Sequence, residues 1–303
     1  MTENISGAAP ARRRGLPHSE WYRVPYTGGR ERLAMRALLK QCRLNTVCVS
    51  AKCPNLCDCW KRRTATFMIL GDTCTRNCRF CAVNHGLPQV PDPQEPEHLA
   101  QAASQLQLRH MVITCVTRDD LPDGGAGQMA AAVQAIRAAC PETSIEVLGS
   151  DYGGQEESLA LILQASPQVF GHNLETVQRL TPAIRSGADY QRSLRVLRYA
   201  ANWCSEHGTA CRIKSGLMLG LGETEAEIRT ALADLRQAGV QILTMGQYLQ
   251  PGPDNCPVQR HVSPEEFAAW KQTAEQEFGF AAAVCGPLVR SSYLAEDAYR
   301  SCQ

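Results

Sequence analysis

From residue 64 onward the chain alternates short apolar runs with longer stretches of helical periodicity, six times in succession. The runs are TATFMILG (64–71), HMVITCV (110–116), SIEVLGS (144–150), VFGHNL (169–174), CRIKSGLMLG (211–220) and QILTMGQYL (241–249). Each is short and rich in aliphatic or β-branched residues, the signature of a buried strand. Helical segments are predicted near 93–107, 125–139, 154–165, 189–206, 223–238 and 263–278. Ser263 reads as an N-cap followed by Pro264 at the first helical position, and Thr224 caps GETEAEI in the same way. Parallel strands need helical crossovers, so this rhythm predicts an α/β fold with a parallel sheet. A closed barrel of this type has eight units. Six predict a partial (β/α)6 barrel, although a doubly wound open sheet gives the same pattern. The expected organisation is an N-terminal extension (1–63), a β/α body (64–250) and a C-terminal helix and tail (251–303).

Ligands of such folds collect at the carboxyl ends of the strands. That places GDTCTRNCRFCAV, TRDDLPDGGA, NLET and LGET around one expected site. The first of these loops belongs to a stretch, 46–83, that holds seven of the chain's 15 cysteines. Fifteen is odd, several cysteines sit inside apolar runs such as VITCV and AAVCG, and the chain is neither short nor loop-rich. A disulfide scaffold is therefore the weakest reading, and metal or redox chemistry the stronger.

Charge excludes other classes. Lys and Arg (31) nearly balance Asp and Glu (30), and the net charge is +1, so nothing favours a nucleic-acid partner. The short runs Arg12-Arg13-Arg14 and Lys61-Arg62-Arg63 read as solvated faces. No apolar stretch reaches the roughly 20 residues of a membrane helix, and MTENISGAAPARRRGLP lacks the apolar core of a secretory signal. The expectation is a cytoplasmic protein with no membrane partner.

Two cysteine triplets carry the chemistry. Cys74, Cys78 and Cys81 form C-x3-C-x2-C directly after the first strand. Three thiolates in one loop can hold three irons of a cubane cluster and leave the fourth open for catalysis. Zinc stays possible on spacing alone, with His85 as a fourth ligand. Cys48, Cys53 and Cys59 form C-x4-C-x5-C in the N-terminal extension, with Cys57 between them.

The first triplet, with Phe80 just before its last cysteine, resembles the radical S-adenosylmethionine (SAM) superfamily, whose fold is a partial or full β/α barrel. TVCVSAKCPNLCDCW resembles the auxiliary-cluster motif of the lipoyl synthase family. The likeness continues through RDDLPDGGA, HNLETV, GADYQRSL, KSGLMLGLGET, GQYLQP, VSPEEF and CGPLVRSSY, from about residue 20 to 295. This resemblance implies a sulfurtransferase that uses SAM as cosubstrate and two [4Fe-4S] clusters. Cys74, Cys78 and Cys81 would hold the cluster that cleaves SAM to a 5′-deoxyadenosyl radical. Sulfur would be inserted at C6 and C8 of an octanoyl-lysyl group on a lipoyl carrier protein, as a step of lipoate biosynthesis. The sulfur donor would be the auxiliary cluster of Cys48, Cys53 and Cys59, with a serine of Arg290-Ser291-Ser292-Tyr293 as fourth ligand. Ser291 is favoured and Ser292 is the alternative. A ferredoxin or flavodoxin would supply electrons.

The resemblance also suggests cofactor contacts. Asn173 and Glu175 match a ribose-contacting pair, and Asp119 and Asp120 stand where the methionyl amino group is gripped; either aspartate could instead cap the following turn. Gly216 and Gly220 suit close approach to adenine, though strand glycines also mark bulges or tight packing. His172 reads as a structural histidine, Arg195 and Arg198 as a solvated helix face, and Cys115 as a small buried hydrophobe. Four departures stand out: Cys57 replaces a residue that is usually small and reads as a bystander, with a competing ligand as the alternative; Cys115 sits where a non-cysteine is usual; VLGSDYGG is looser than the family pattern; and RSSYLAED lacks the histidine that commonly follows the tyrosine. Two other functions are open. A biotin synthase-like enzyme would place its second ligand set inside the barrel, and a non-catalytic iron–sulfur or zinc protein would need only a closed four-cysteine site.

Overall fold

The computed structural model describes residues 20–22, 29–62 and 64–302. The arginine run at 12–14, Arg63 and the segment read for a secretory signal lie outside the described residues. Seven parallel strands form the sheet in simple sequence order: β1 (Thr66–Ile69), β2 (His110–Cys115), β3 (Ser144–Leu148), β4 (Val169–Gly171), β5 (Arg212–Leu219), β6 (Ile242–Gln247) and β7 (Ala282–Gly286). A two-residue strand, Asn45–Thr46, joins the free edge of β1 antiparallel, with Asn45 opposite Met68. The sheet is open: β1 and β7 are not paired to each other.

All six strands read from the sequence form, and a seventh adds to them. β7 lies in the segment expected as helix and tail, and pairs with β6 from Ala282 opposite Ile242 to Gly286 opposite Gly246. Its alanine-rich sequence, AAVCG, carries little strand propensity of its own. Its place is set by the pairing surface β6 offers.

The crossovers are α1 (Glu95–Leu106), α2 (Ala126–Ala139), α3 (Glu156–Gln164), α4 (Tyr190–Glu206) and α5 (Glu225–Gln237), with α6 (Pro264–Gln272) before β7. Both expected caps are present. Thr224 accepts from Glu227 N–H while the Glu227 side chain returns to the Thr224 backbone, and Ser263 accepts from Glu266 N–H at 3.2 Å.

Register aligns Phe67, Ile113, Val147, Phe170 and Ile213 in one row across β1 to β5, all buried. Alternation turns the neighbouring positions the other way, into the curve of the sheet. There the lower layer holds His110, Glu146 and Lys214. Lys214 Nζ donates to both Glu146 oxygens at 2.7 and 2.9 Å, and His110 Nε2 lies 3.6 Å from Glu146 Oε2. Burial opposes ionisation of Glu146, but Lys214 and His110 override it and hold the carboxyl below its ordinary range. A short helix, Ala295–Arg300, covers this end: Glu296 pairs with Arg109, and Tyr299 stacks on His110. The upper layer is open and forms the site. Among the described residues, no helix is long and apolar enough to cross a membrane.

Candidate active site

The loop after β1 is anchored at its entry. Leu70 and Gly71 both adopt positive φ (67° and 92°), turning the chain sharply out of the strand. Their N–H groups donate to the buried carboxylate of Glu95 at 2.9 and 3.3 Å. The loop then closes on itself: Thr73–Cys74 pairs in parallel with Asn84–His85, and Gly86 N–H donates to Cys74 O at 3.0 Å. Its outer part is held from elsewhere. Arg79 N–H donates to Ile184 O at 2.8 Å, and Asn255 Nδ2 donates to Cys81 O at 2.9 Å. Three thiols, Cys74, Cys78 and Cys81, are thus fixed at the mouth of the sheet.

Arg76 locks this loop to the next two. Its guanidinium donates to Asp119 at 2.8 and 2.7 Å and to Asp151 at 2.9 and 2.7 Å, and Arg192 adds a bond to Asp151 at 2.9 Å. Burial pushes the Asp151 carboxyl up, but the two arginines override it and hold it below the usual carboxylate range.

A cavity of about 540 Å³ opens above the sheet, lined by Cys74, Cys78 and Cys81 of the first triplet and by Cys48 and Cys53 of the second. The second triplet is placed by the edge strand. Thr46 donates its hydroxyl to Thr66 O at 2.7 Å and accepts from Cys48 N–H at 3.2 Å, capping the short helix Val47–Ser50. Asn55 Nδ2 donates to Leu288 O at 2.6 Å, and Tyr293 OH donates to Asp58 Oδ2 at 3.4 Å, so the C-terminal tail is clasped to this segment. Between them lies a second, smaller void lined by Cys48, Cys53, Cys59, Arg290, Ser292 and Tyr293. Cys57 lines neither space.

The two serines of the tail motif part company. Ser292 lines the small void, whereas Ser291 lines only the large cavity, where its hydroxyl accepts from Asn173 Nδ2. Asn173 Nδ2 also donates to Glu175 Oε1 at 3.1 Å, while Asn173 Oδ1 is buried without a partner. Glu175, at φ 66°, forms a bridge to β5: its N–H donates to Gly216 O at 2.9 Å. Burial pushes the Glu175 carboxyl up, opposed by Arg185. A Cβ on Gly216 would stand 2.6 Å from Thr244 Oγ1 and 3.0 Å from Asn173 Oδ1, so the glycine makes room for these side chains. Phe80 also lines the cavity.

Three of the expected cofactor contacts lie elsewhere. Asp119 is taken by Arg76 and Thr75, Asp120 is paired in a fork with Arg118 at 2.8 and 2.7 Å, and neither lines the cavity. Gly220 is also outside it, at φ 97° with a Cβ position 2.5 Å from Arg260 O; tight packing requires the glycine. His85 is exposed. His172 bonds Gly149 O and Ser193 Oγ at 3.1 and 3.0 Å, and burial with the nearby Arg185 charge lowers its pKa to about 4. Arg195 and Arg198 are exposed. Cys115 lines the cavity, its thiol 3.8 Å from Tyr152 OH.

Sequence reasoning missed Asp151 and Arg185. Asp151 follows β3 in VLGSDYGG, where the strand-end rule could have found it. Arg185 has no local signal: its guanidinium donates to Leu174 O at 3.1 Å and Ser193 Oγ at 3.0 Å, and its charge acts on Glu175 and Cys78.

All fifteen cysteines are free, and among the described residues no group of three or more His, Cys, Asp and Glu side chains is gathered tightly enough for a single metal ion. Burial pushes Cys78 up to about 11 and, with Cys48 and Cys53 adding to it, Cys59 up to about 12; Cys53 and Cys81 are raised too. Such thiols keep their protons until a cation displaces them.

Comparison with known proteins agrees with this geometry. The profile of the radical SAM superfamily matches residues 68–235. Lipoyl synthase of Chlorobium limicola is 47% identical over 279 residues, covering 92% of this chain and 94% of the relative. Lipoyl synthase of Bacillus cytotoxicus is 48% identical over 283 residues, covering 93% of each chain. Among solved structures, the FeFe-hydrogenase maturase HydG from Carboxydothermus hydrogenoformans matches at a TM-score of 0.58 and 12% identity, over 79% of this chain and 57% of that one. Methylornithine synthase (PylB) matches at 0.54 and 13%, over 71% and 62%. These two share the fold. The chain belongs to the lipoyl synthase family of the radical SAM superfamily.

Proposed function

We propose that this enzyme inserts sulfur at C6 and C8 of an octanoyl-lysyl group on a lipoyl carrier domain, using two [4Fe-4S] clusters and SAM. Cys74, Cys78 and Cys81 would hold one cluster; Cys48, Cys53, Cys59 and Ser292 would hold the other. The observation that carries this reading is one cavity lined by Cys74, Cys78 and Cys81 together with Cys48 and Cys53 of the second set. When bound, the clusters supply the electron that cleaves SAM and the sulfur that is inserted. Ser292 replaces Ser291 as the candidate ligand because it shares the small void with the three thiols, while the Ser291 hydroxyl is engaged by Asn173.

The chain's own residues have definable tasks. Asn173 Oδ1, a buried acceptor without a donor, is suited to a ribose hydroxyl of SAM, with Glu175 beside it. Arg185 places a cation opposite any carboxylate near Cys78. Val47, Val116, Leu148, Leu217, Leu249 and Val289 line the cavity and offer aliphatic surface to an alkyl chain. A ferredoxin- or flavodoxin-like donor would supply electrons from outside.

The test is an anaerobic assay of cluster-reconstituted protein with reductant, SAM and an octanoyl-lysyl peptide, followed by mass spectrometry. Gain of two sulfur atoms by the peptide is expected. An unchanged peptide alongside 5′-deoxyadenosine would refute the substrate. Neither product, from protein shown to hold its iron, would refute the reaction.

A further inference from the structure

Three arginines of the described residues line the cavity, and two of them are taken. Arg76 is paired with Asp119 and Asp151, and Arg185 donates to Leu174 O and Ser193 Oγ. Arg290 is different. It borders both spaces, the cavity and the small void of Cys48, Cys53 and Cys59. Its Nη1 folds back and donates to Val289 O at 2.7 Å. Among the described residues this is its only side-chain hydrogen bond, and no carboxylate pairs with it. The segment that carries it is pinned on both sides. Val289 N–H donates to Gly286 O at 3.1 Å and Tyr293 N–H to Arg290 O at 2.9 Å, while Asn55 and Asp58 hold Leu288 O and Tyr293 OH. A Cβ on Gly246 would stand 3.5 Å from Nη1, so the guanidinium packs over that glycine.

A guanidinium keeps its charge in proteins and carries five N–H donors. Half-buried and without a carboxylate, this one needs negative charge from another source. We infer that Arg290 is the counter-charge of the iron–sulfur group at Cys48, Cys53, Cys59 and Ser292, and that its cation eases the entry of one electron there. The inference rests on the second site proposed above. Thiols lose their protons on binding iron, so the loaded void is anionic, and an added electron makes it more so. A fixed cation in a partly enclosed space favours the more negative state. Net charge and hydrogen bonds to sulfur are among the levers that set an iron–sulfur potential. The effect bears on sulfur insertion. A carbon radical and a sulfide bring three electrons to a two-electron C–S bond, and the third stays at the site that Arg290 borders.

The test uses the full chain carrying Cys74→Ala, Cys78→Ala and Cys81→Ala, so that reconstituted iron is confined to the second site. Iron and sulfide content are measured, with the midpoint potential from an anaerobic dithionite titration in the presence of mediators. This parent is compared with the same chain carrying Arg290→Lys or Arg290→Met. Arg290→Met should lower the midpoint by about 59 mV or more, a tenfold shift of a one-electron equilibrium. Arg290→Lys, which keeps the charge, should recover most of that shift. Should Arg290→Met fail to load iron, full loading by Arg290→Lys supports the same conclusion. An unchanged potential in iron-loaded Arg290→Met, or equal losses of iron or potential in both variants, would overturn the inference and leave the second site standing. No iron in the parent, with Arg290 intact, would overturn the reading of that site and this inference with it.

Discussion

Gly246 faces the cavity from β6, where Met218 on one side and Gly286 on the other fix its backbone. A Cβ at this position would lie 2.9 Å from the carbonyl carbon of Val289, closer still to its oxygen, and 3.5 Å from Arg290 Nη1. Carbon atoms in good contact stand about 3.5–4.0 Å apart. Because β6 is held from both sides, the Val289–Ser292 segment must give way in Gly246→Ala, by about 1 Å. Overpacking of this kind costs roughly 1–3 kcal/mol, so the variant should fold with a lowered melting temperature. Ser291 and Ser292 move with the segment, whereas the loop of Cys74, Cys78 and Cys81 is anchored elsewhere. A misplacement of about 1 Å is enough for a loss of about 100-fold in a positioned reaction. In the octanoyl-lysyl peptide assay at saturating SAM, Gly246→Ala should therefore still yield 5′-deoxyadenosine at close to the wild-type rate while thiolated peptide falls by about two orders of magnitude. Wild-type thiolation, or equal loss of both products, would refute the claim that this glycine seats the tail.

Ser292→Ala should lose iron from the second triplet and abolish thiolation, whereas Ser291→Ala should keep its iron and weaken SAM binding through Asn173; iron analysis and SAM titration separate the two. His172 should make the protein acid-labile in a window that its pKa of about 4 defines. Because this lies below the unfolded value of about 6.5, the unfolded chain takes the proton first. The stabilisation is complete above about pH 6.5 and is lost as pH falls towards 4, about 2 kcal/mol of it between pH 7 and pH 5. His172→Gln should flatten that part of the pH–stability profile, and an unaltered slope would contradict the assignment. Lys214→Met leaves Glu146 buried with only His110 beside it and should destabilise by about 3 kcal/mol, while Lys214→Met with Glu146→Leu should recover most of the loss in thermal unfolding.

The strand–helix rhythm was readable because each apolar run is bounded by residues that cannot continue it, and local pattern alone decides such elements. β7 was not, since AAVCG becomes a strand only through β6. The same division holds at the site. The thiol spacings are local, so both triplets could be read along the chain, and five of their six cysteines line the cavity. Asp119 and Asp120 sit at the expected strand end, but their direction depends on Arg76 and Arg118, which claim them as ion-pair partners. Which serine faces the second triplet depends on how the tail crosses residues 48–59, and no neighbouring sequence records that. Arg185 reaches the cavity from PAIRSG only because the chain folds back over β4.

The clasp between the two ends of the chain has a consequence for the order of events during synthesis. Cys74, Cys78 and Cys81 lie within one short loop, whose outer part is closed by contacts from Ile184 and Asn255. The second site is different: its closing contacts, Asn55 to Leu288 and Asp58 to Tyr293, span 233 and 235 positions. Contacts of such range form late, after the loop-closure cost has been met. The Cys48, Cys53 and Cys59 thiols therefore wait, without Ser292, until nearly the whole polypeptide has left the ribosome. The void that Cys48, Cys53, Cys59 and Ser292 line is therefore among the last parts of the molecule to be finished.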